Sequence, residues 1–112
     1  MIYYENQDFE WDDRKAEANA RKHGIRFSEA ATIWFDGCAL EISDPEHSSR
    51  EERWIRMGYS NQGRLIVAIY CEKNGTKTIR IISARQASRT EEQQYHEVNY
   101  ENRVRLFESK KK

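Results

Sequence analysis

Apolar and polar positions along this chain follow two periods. From residue 53 to 84 the period is two. "RWIRMGY" (53–59) alternates, "RLIVAIYC" (64–71) is nearly continuous, and "TIRIISA" (78–84) completes a set of three expected strands. Asn74-Gly75 inside "KNGT" (73–76) predicts a two-residue hairpin, and "SNQG" (60–63) a slightly longer turn. Two shorter strands are expected at "DFEWDD" (8–13), with Phe9 and Trp11 on one side and Glu10 on the other, and at "CALEIS" (38–43). The remaining stretches carry helical signals. Asp12 or Asp13 caps a helix that ends near His23 at Gly24, with Ala16, Ala20 and His23 on one face. Ser28 is expected to cap a short apolar helix holding Ala30, Ala31, Ile33, Trp34 and Phe35, closed by Gly37. Ser88 and Glu91 have capping-box spacing, which predicts a last helix from Arg89 to about Phe107. Its apolar stripe is thin: Tyr95 and Val98 come first, then Tyr100, Val104 and Phe107 on a shifted face. Such a helix either crosses the sheet obliquely or leaves the body to meet a partner. "DPEHSSREE" (44–52), with the only proline, reads as a loop. The sum is an α+β fold: a single, mostly antiparallel sheet, two N-terminal helices and one C-terminal helix.

Arginines interrupt the apolar strands. If Lys73 faces Thr76, Arg80 lies opposite Ile69 and Ile82 opposite Val67. Arg80, Ile82 and Ala84 then share one face, and Ile79, Ile81, Ser83 and Arg85 the other. A three-residue loop at 61–63 sets Ile55 opposite Ile69 and brings Arg53 to Arg80's face; a two-residue loop reverses this. A guanidinium keeps its charge when buried. Arg80 therefore needs a carboxylate, such as Glu41 or Glu52, or an opening where an anion binds. Arg85 and Arg89 follow near a capped helix start, whose potential favours anions, so a phosphate cradle is the more attractive expectation.

Bulk properties narrow the field. The 112 residues suit one domain (1–112), with Lys110, Lys111 and Lys112 ending a frayed tail over 108–112. Lys plus Arg equals Asp plus Glu at 19 each, so any nucleic-acid site must come from local segregation of charge. Cys38 and Cys71 read as buried free thiols of a reducing cytoplasm. His23, His47 and His96 match no metal spacing, and no cofactor motif is present. No stretch is apolar enough to span a membrane, and "MIYYENQDFE" is no signal peptide, so a cytoplasmic protein is expected.

Several blocks together resemble the BrnT toxins of bacterial type II toxin–antitoxin pairs. These are Trp11-Asp12 with Lys15, Asn19 with Lys22-His23-Gly24, Arg53 with Gly58, and Ile82-Ser83-Ala84-Arg85 with Glu91. The likeness covers about residues 8–95. It implies a RelE-like fold, ribonuclease activity that stops translation, and neutralisation by a BrnA-type antitoxin. That antitoxin would carry a ribbon-helix-helix DNA-binding domain and repress the operon with the toxin. Metal-free RNA cleavage uses the substrate's own 2′-OH, so it needs a base, an acid and a stabiliser for the phosphorane. Arg80 and Arg85 are candidate stabilisers, with Arg53 beside them in one register and Lys22 on a neighbouring phosphate. His23 and Glu52 are acid–base candidates, since imidazole titrates near neutrality. Tyr70, Arg89 and Lys15 are candidate RNA contacts. Bland readings stand beside these. Lys22 and His23 also suit a helix C-terminus as cations, Tyr70 suits a core, and Lys15 with Asp12 suits an exposed helix pair. A binding module without chemistry and an RNA-binding regulator that does not cut are the rival functions.

Overall fold

The computed structural model describes residues 2–4, 7–44, 52–73 and 76–110. Six strands form one sheet: β1 (Ile2–Tyr4), β2 (Gln7–Glu10), β3 (Leu40–Ser43), β4 (Arg53–Tyr59), β5 (Leu65–Glu72) and β6 (Thr78–Gln86). Their order is β1-β2-β6-β5-β4-β3. Every pair is antiparallel except β2 with β6, which is parallel. The strand β1 was not anticipated, and it is β1 that moves β2 from the sheet edge to the interior.

Helix α1 (Asp13–His23) starts where the Asp12 side chain accepts the Lys15 N–H and stops at Gly24, whose φ of 70° is left-handed. Helix α2 (Phe27–Ala31) begins one residue ahead of the expected Ser28 cap. Phe27 is nearly fully buried, and seating its ring draws the helix start forward. The apolar run then tightens into a 3₁₀ turn, Thr32–Phe35, which leaves Phe35 half exposed. These three elements cover one face of the sheet. Phe9, Ile25, Phe27, Ile33, Ile66, Tyr70, Ile79 and Ile81 make the main core there, with Trp11, Trp34 and Trp54 packed on it. Burying each large side chain stabilises the fold by roughly 1.5–3 kcal/mol.

A smaller cluster of Met57, Leu65, Val67 and Tyr95 lies on the other face, beneath the start of helix α3 (Arg89–Lys110). Tyr95 donates to Asp36 (2.6 Å), which also accepts the Tyr59 and Cys38 N–H groups at 2.9 Å. Cys38 therefore lies in a turn and is exposed, contrary to expectation, while Cys71 is buried; both are free. Gly58 permits this junction: a Cβ there would sit 3.1 Å from Ala39 and 3.3 Å from Asp36. Beyond Asn99, α3 projects, with Tyr100 and Leu106 more than half exposed. The terminal segment expected to fray is helical to Lys110; Lys111 and Lys112 lie outside the described residues. So do residues 45–51 of the expected loop and the Asn74-Gly75 pair of the expected two-residue turn.

Candidate functional site

Strand register decides where the arginines sit. Ile55 pairs with Ile69, as the three-residue turn requires, so Arg53, Ile55 and Met57 share a face. The next hairpin differs from expectation. The Thr76 N–H bonds Lys73 O and the Lys73 N–H bonds Thr78 O, both at 3.0 Å, and Arg80 lies opposite Cys71, not Ile69. Farther on the ladder slips: Tyr70 pairs with Ile81 but Ile69 with Ser83. Ile82 is an extra, bulged residue. Beyond it the alternation resets, so Ala84 joins Ile79 and Ile81 in the main core while Arg85, opposite Val67, comes to Arg80's face. The expected split of the two arginines between faces is thereby overturned.

Both arginines look onto the open face, but at different poles. Val67 and Cys71 are four residues apart, so Arg85 and Arg80 stand about 13 Å from each other along the sheet. That spacing is between backbone positions; the side chains take different carboxylates, Glu91 for Arg85 and Glu10 for Arg80.

At the first pole Arg85 donates two parallel hydrogen bonds to Glu91, 2.7 and 2.8 Å, and keeps 45 % of its side chain exposed. Glu91 also accepts the Ser88 N–H (2.8 Å), while its own N–H reaches Ser88 Oγ, so the expected capping box is present. The Arg85 guanidinium holds the Glu91 carboxyl down at about 2; burial opposes this and the Ser88 N–H assists. His23, Ser83, Arg85 and Glu91 line one concavity of about 190 Å³, floored by Ile55, Val67 and Ile69.

Asn19 brings His23 there. It lies on the inward stripe with Ala16 and Ala20, and its amide pairs with β6 as a neighbouring strand would. Nδ2 donates to Ala84 O (2.7 Å) and Ile25 O (3.0 Å), and Oδ1 accepts the Ala84 N–H at 3.1 Å. The end of α1 is thus fixed against the residue before Arg85. No role was assigned to Asn19 from sequence; the signal was a polar residue inside an apolar helical stripe.

At the second pole Arg80 lies beside Glu10 of β2 at 3.5 Å, not beside Glu41 or Glu52. Glu41 instead pairs with Arg56 on the opposite face. Arg53 is half-buried on Arg80's row, both facing Cys71. The buried arginine–carboxylate clamp lies elsewhere: Glu29, almost fully buried, holds Arg64 through Nε (2.9 Å) and NH2, and accepts from Ser60 (2.7 Å).

The other candidates scatter. Lys22 is exposed in the last turn of α1, Glu52 is exposed just before β4, Arg89 is exposed at the start of α3, and Lys15 is exposed beside Asp12. Tyr70 is 2 % exposed in the main core, edge-on to Trp34 at 5.0 Å, so its ring is closed to a base. Burial, and then a hydrogen bond to Glu41, push its hydroxyl far above the usual phenol range. Among the described residues no three His, Cys, Asp or Glu side chains are grouped to hold a metal, and no helix is long and apolar enough to cross a membrane.

The fold and site define a small α+β protein built on one sheet, with a histidine and a carboxylate-held arginine lining one concavity. Residues 11–91 match the family described as the ribonuclease toxin, BrnT, of type II toxin–antitoxin systems. The chain belongs to that family. It is similar in structure to the Brucella abortus ribonuclease toxin, BrnT, at a TM-score of 0.57 and 24 % identity over 74 % of this chain and 97 % of that one, a likeness of fold. No curated protein matches.

Proposed function

We propose that this chain is itself an endoribonuclease toxin whose working pole is the His23–Arg85 concavity. The carrying observation is that one cavity is lined by both side chains, although 62 residues separate them in sequence. RNA offers its own nucleophile, the 2′-OH. His23 exchanges protons with that hydroxyl or with the leaving 5′-oxygen, and Arg85 stabilises charge on the phosphorane. Glu91 orients the guanidinium, and Lys22 in the same turn as His23 adds positive potential. Glu52, exposed just ahead of β4, stays a second candidate base although it does not line this concavity. No metal enters this scheme, because the nucleophile is the substrate's own.

A BrnA-type antitoxin with a ribbon-helix-helix domain is the proposed partner, reaching operator DNA through itself, and the cytoplasm is the proposed site of action. Membership of a toxin–antitoxin family supports this. The Glu91 clamp on Arg85 favours one rival, a module that binds antitoxin or RNA without cutting, since the guanidinium already has a carboxylate.

Expression without a partner is expected to arrest growth and degrade RNA. Arg85→Ala is expected to slow RNA cleavage by the purified protein about 10²–10³-fold while the protein stays folded. Intact RNA and normal growth with folded wild-type protein would leave the binding module.

A further inference from the structure

On the open face Arg85 and Arg80 are held in different ways. Arg85, Arg64 and Arg56 each donate to a carboxylate at 2.9 Å or less. Arg80 makes no hydrogen bond to a described residue. Its contact with Glu10 is 3.5 Å, and the same oxygen lies nearer Lys73, at 3.1 Å. Lys73 thus shares Glu10 with Arg80, Asp12 is within electrostatic range, and Arg80, 39 % exposed, has donors that no described residue takes up.

The floor between the poles carries no charge. Ile55, Ile69 and Ser83 form the row between Arg80 and Arg85. Each guanidinium is drawn away from that row: Arg85 toward Glu91 on α3, Arg80 toward Glu10 on β2. A single phosphate cannot occupy both ends of a span of about 13 Å, whereas successive phosphates of one strand can. The apolar strip suits the faces of unstacked bases, which a duplex would keep hidden.

We propose that Arg80 anchors a second phosphate subsite, which takes a backbone phosphate of the same single-stranded RNA at least one nucleotide away from the phosphate at Arg85. The subsite rests on the reading of this face as an RNA site. It makes Arg80 a binding residue that sets the length of strand held, and separates it from the bond-breaking pole.

Fluorescence anisotropy with 2′-O-methyl RNA, from dinucleotides to octanucleotides, tests this without cleavage, because the nucleophile is blocked. Wild-type affinity should rise in a step once the strand spans both poles. Arg80→Ala should weaken octanucleotide binding about tenfold and remove the step. Glu10→Gln, which removes the competing carboxylate, should sharpen it. Arg80→Lys keeps the charge without the fork and should shrink the step, so it carries the test if Arg80→Ala does not fold. A smooth rise with length that Arg80→Ala leaves intact, or equal losses on dinucleotide and octanucleotide, overturns the subsite. Unmodified octanucleotides report on the other reading separately. An Arg80-dependent step without cleavage supports the subsite and removes the ribonuclease assignment; cleavage without such a step does the reverse.

Discussion

Asn19 does at the residue scale what a strand does for a sheet. Beyond Arg80 the outer edge of β6 has no β2 partner, because the parallel pairing stops at Glu10 with Arg80. The Asn19 amide supplies the missing donor and acceptor at Ala84. Removing it leaves buried polar backbone groups unpaired, which costs about 1–3 kcal/mol. Asn19→Leu is therefore expected to lower stability by that amount in urea unfolding. Asn19→Asp, which turns a carboxylate toward the Ala84 and Ile25 carbonyls, should cost at least as much. The sequence showed where Asn19 lies on its helix, since Ala16, Ala20 and His23 mark the inward face. It did not show the bonds, because a helical period says nothing about which strand edge lies opposite. Glu10 has the same history: its side of the strand was legible, but Arg80 as its neighbour depended on a parallel pairing that no local pattern announces.

Element by element, chain-terminating signals translated best. Asp12, Gly24 and the Ser88–Glu91 box act over four residues or fewer, so local chemistry decides them. Register was less legible, since it depends on turn length and on a bulge that binary patterning treats as noise. Glu91 ties the start of α3 to β6, and this tie is acid-sensitive. Its carboxyl sits near 2 when folded, against an ordinary value of 4.5. The folded value is the lower one, so the stabilisation is complete above about pH 4.5 and is lost as pH falls toward 2. Glu29 and Asp36 are also held low and add to the same slope. Hydrogen bonds from Arg64 hold Glu29 down; burial opposes ionisation of Asp36, but Tyr95, Tyr59 and Cys38 outweigh it. Stability measured from pH 5 down should fall, and Glu91→Gln, which retains a capping side chain, should make that fall shallower. The Glu29–Arg64 tie gives a sharper contrast. Arg64→Ala leaves the buried Glu29 carboxylate with the Ser60 hydroxyl but without its cation and should clearly lower the urea midpoint. Lys73→Ala, at an exposed pair, should fall within about 1 kcal/mol of wild type.

Across the whole molecule the charge balance is zero, yet Arg53, Arg80 and Arg85 share one face of the sheet. Composition could not reveal that grouping; register does. The family match ends at Glu91, so most of α3 lies outside it. The helix is anchored by Tyr95, by His96 against the Tyr59 hydroxyl (3.0 Å) and by Asn99 on Cys38 O (3.1 Å). Past these contacts Tyr100 and Leu106 meet solvent, which favours the projecting alternative of the two offered by its shifting stripe. Truncation after Arg103 is expected to leave the midpoint of thermal unfolding nearly unchanged, whereas Tyr95→Ala, which empties a buried site, should lower it by several degrees, about 4–8 °C per kcal/mol lost.

Arg80 and Arg85 are five positions apart, an odd interval that ordinary pleating would send to opposite sides of the sheet. Looping out Ile82 restores the parity. Counting by twos along this segment puts one cation on the wrong side. Excising Ile82 should straighten the strand and still leave both cations facing outward, because the interval between them becomes an even four.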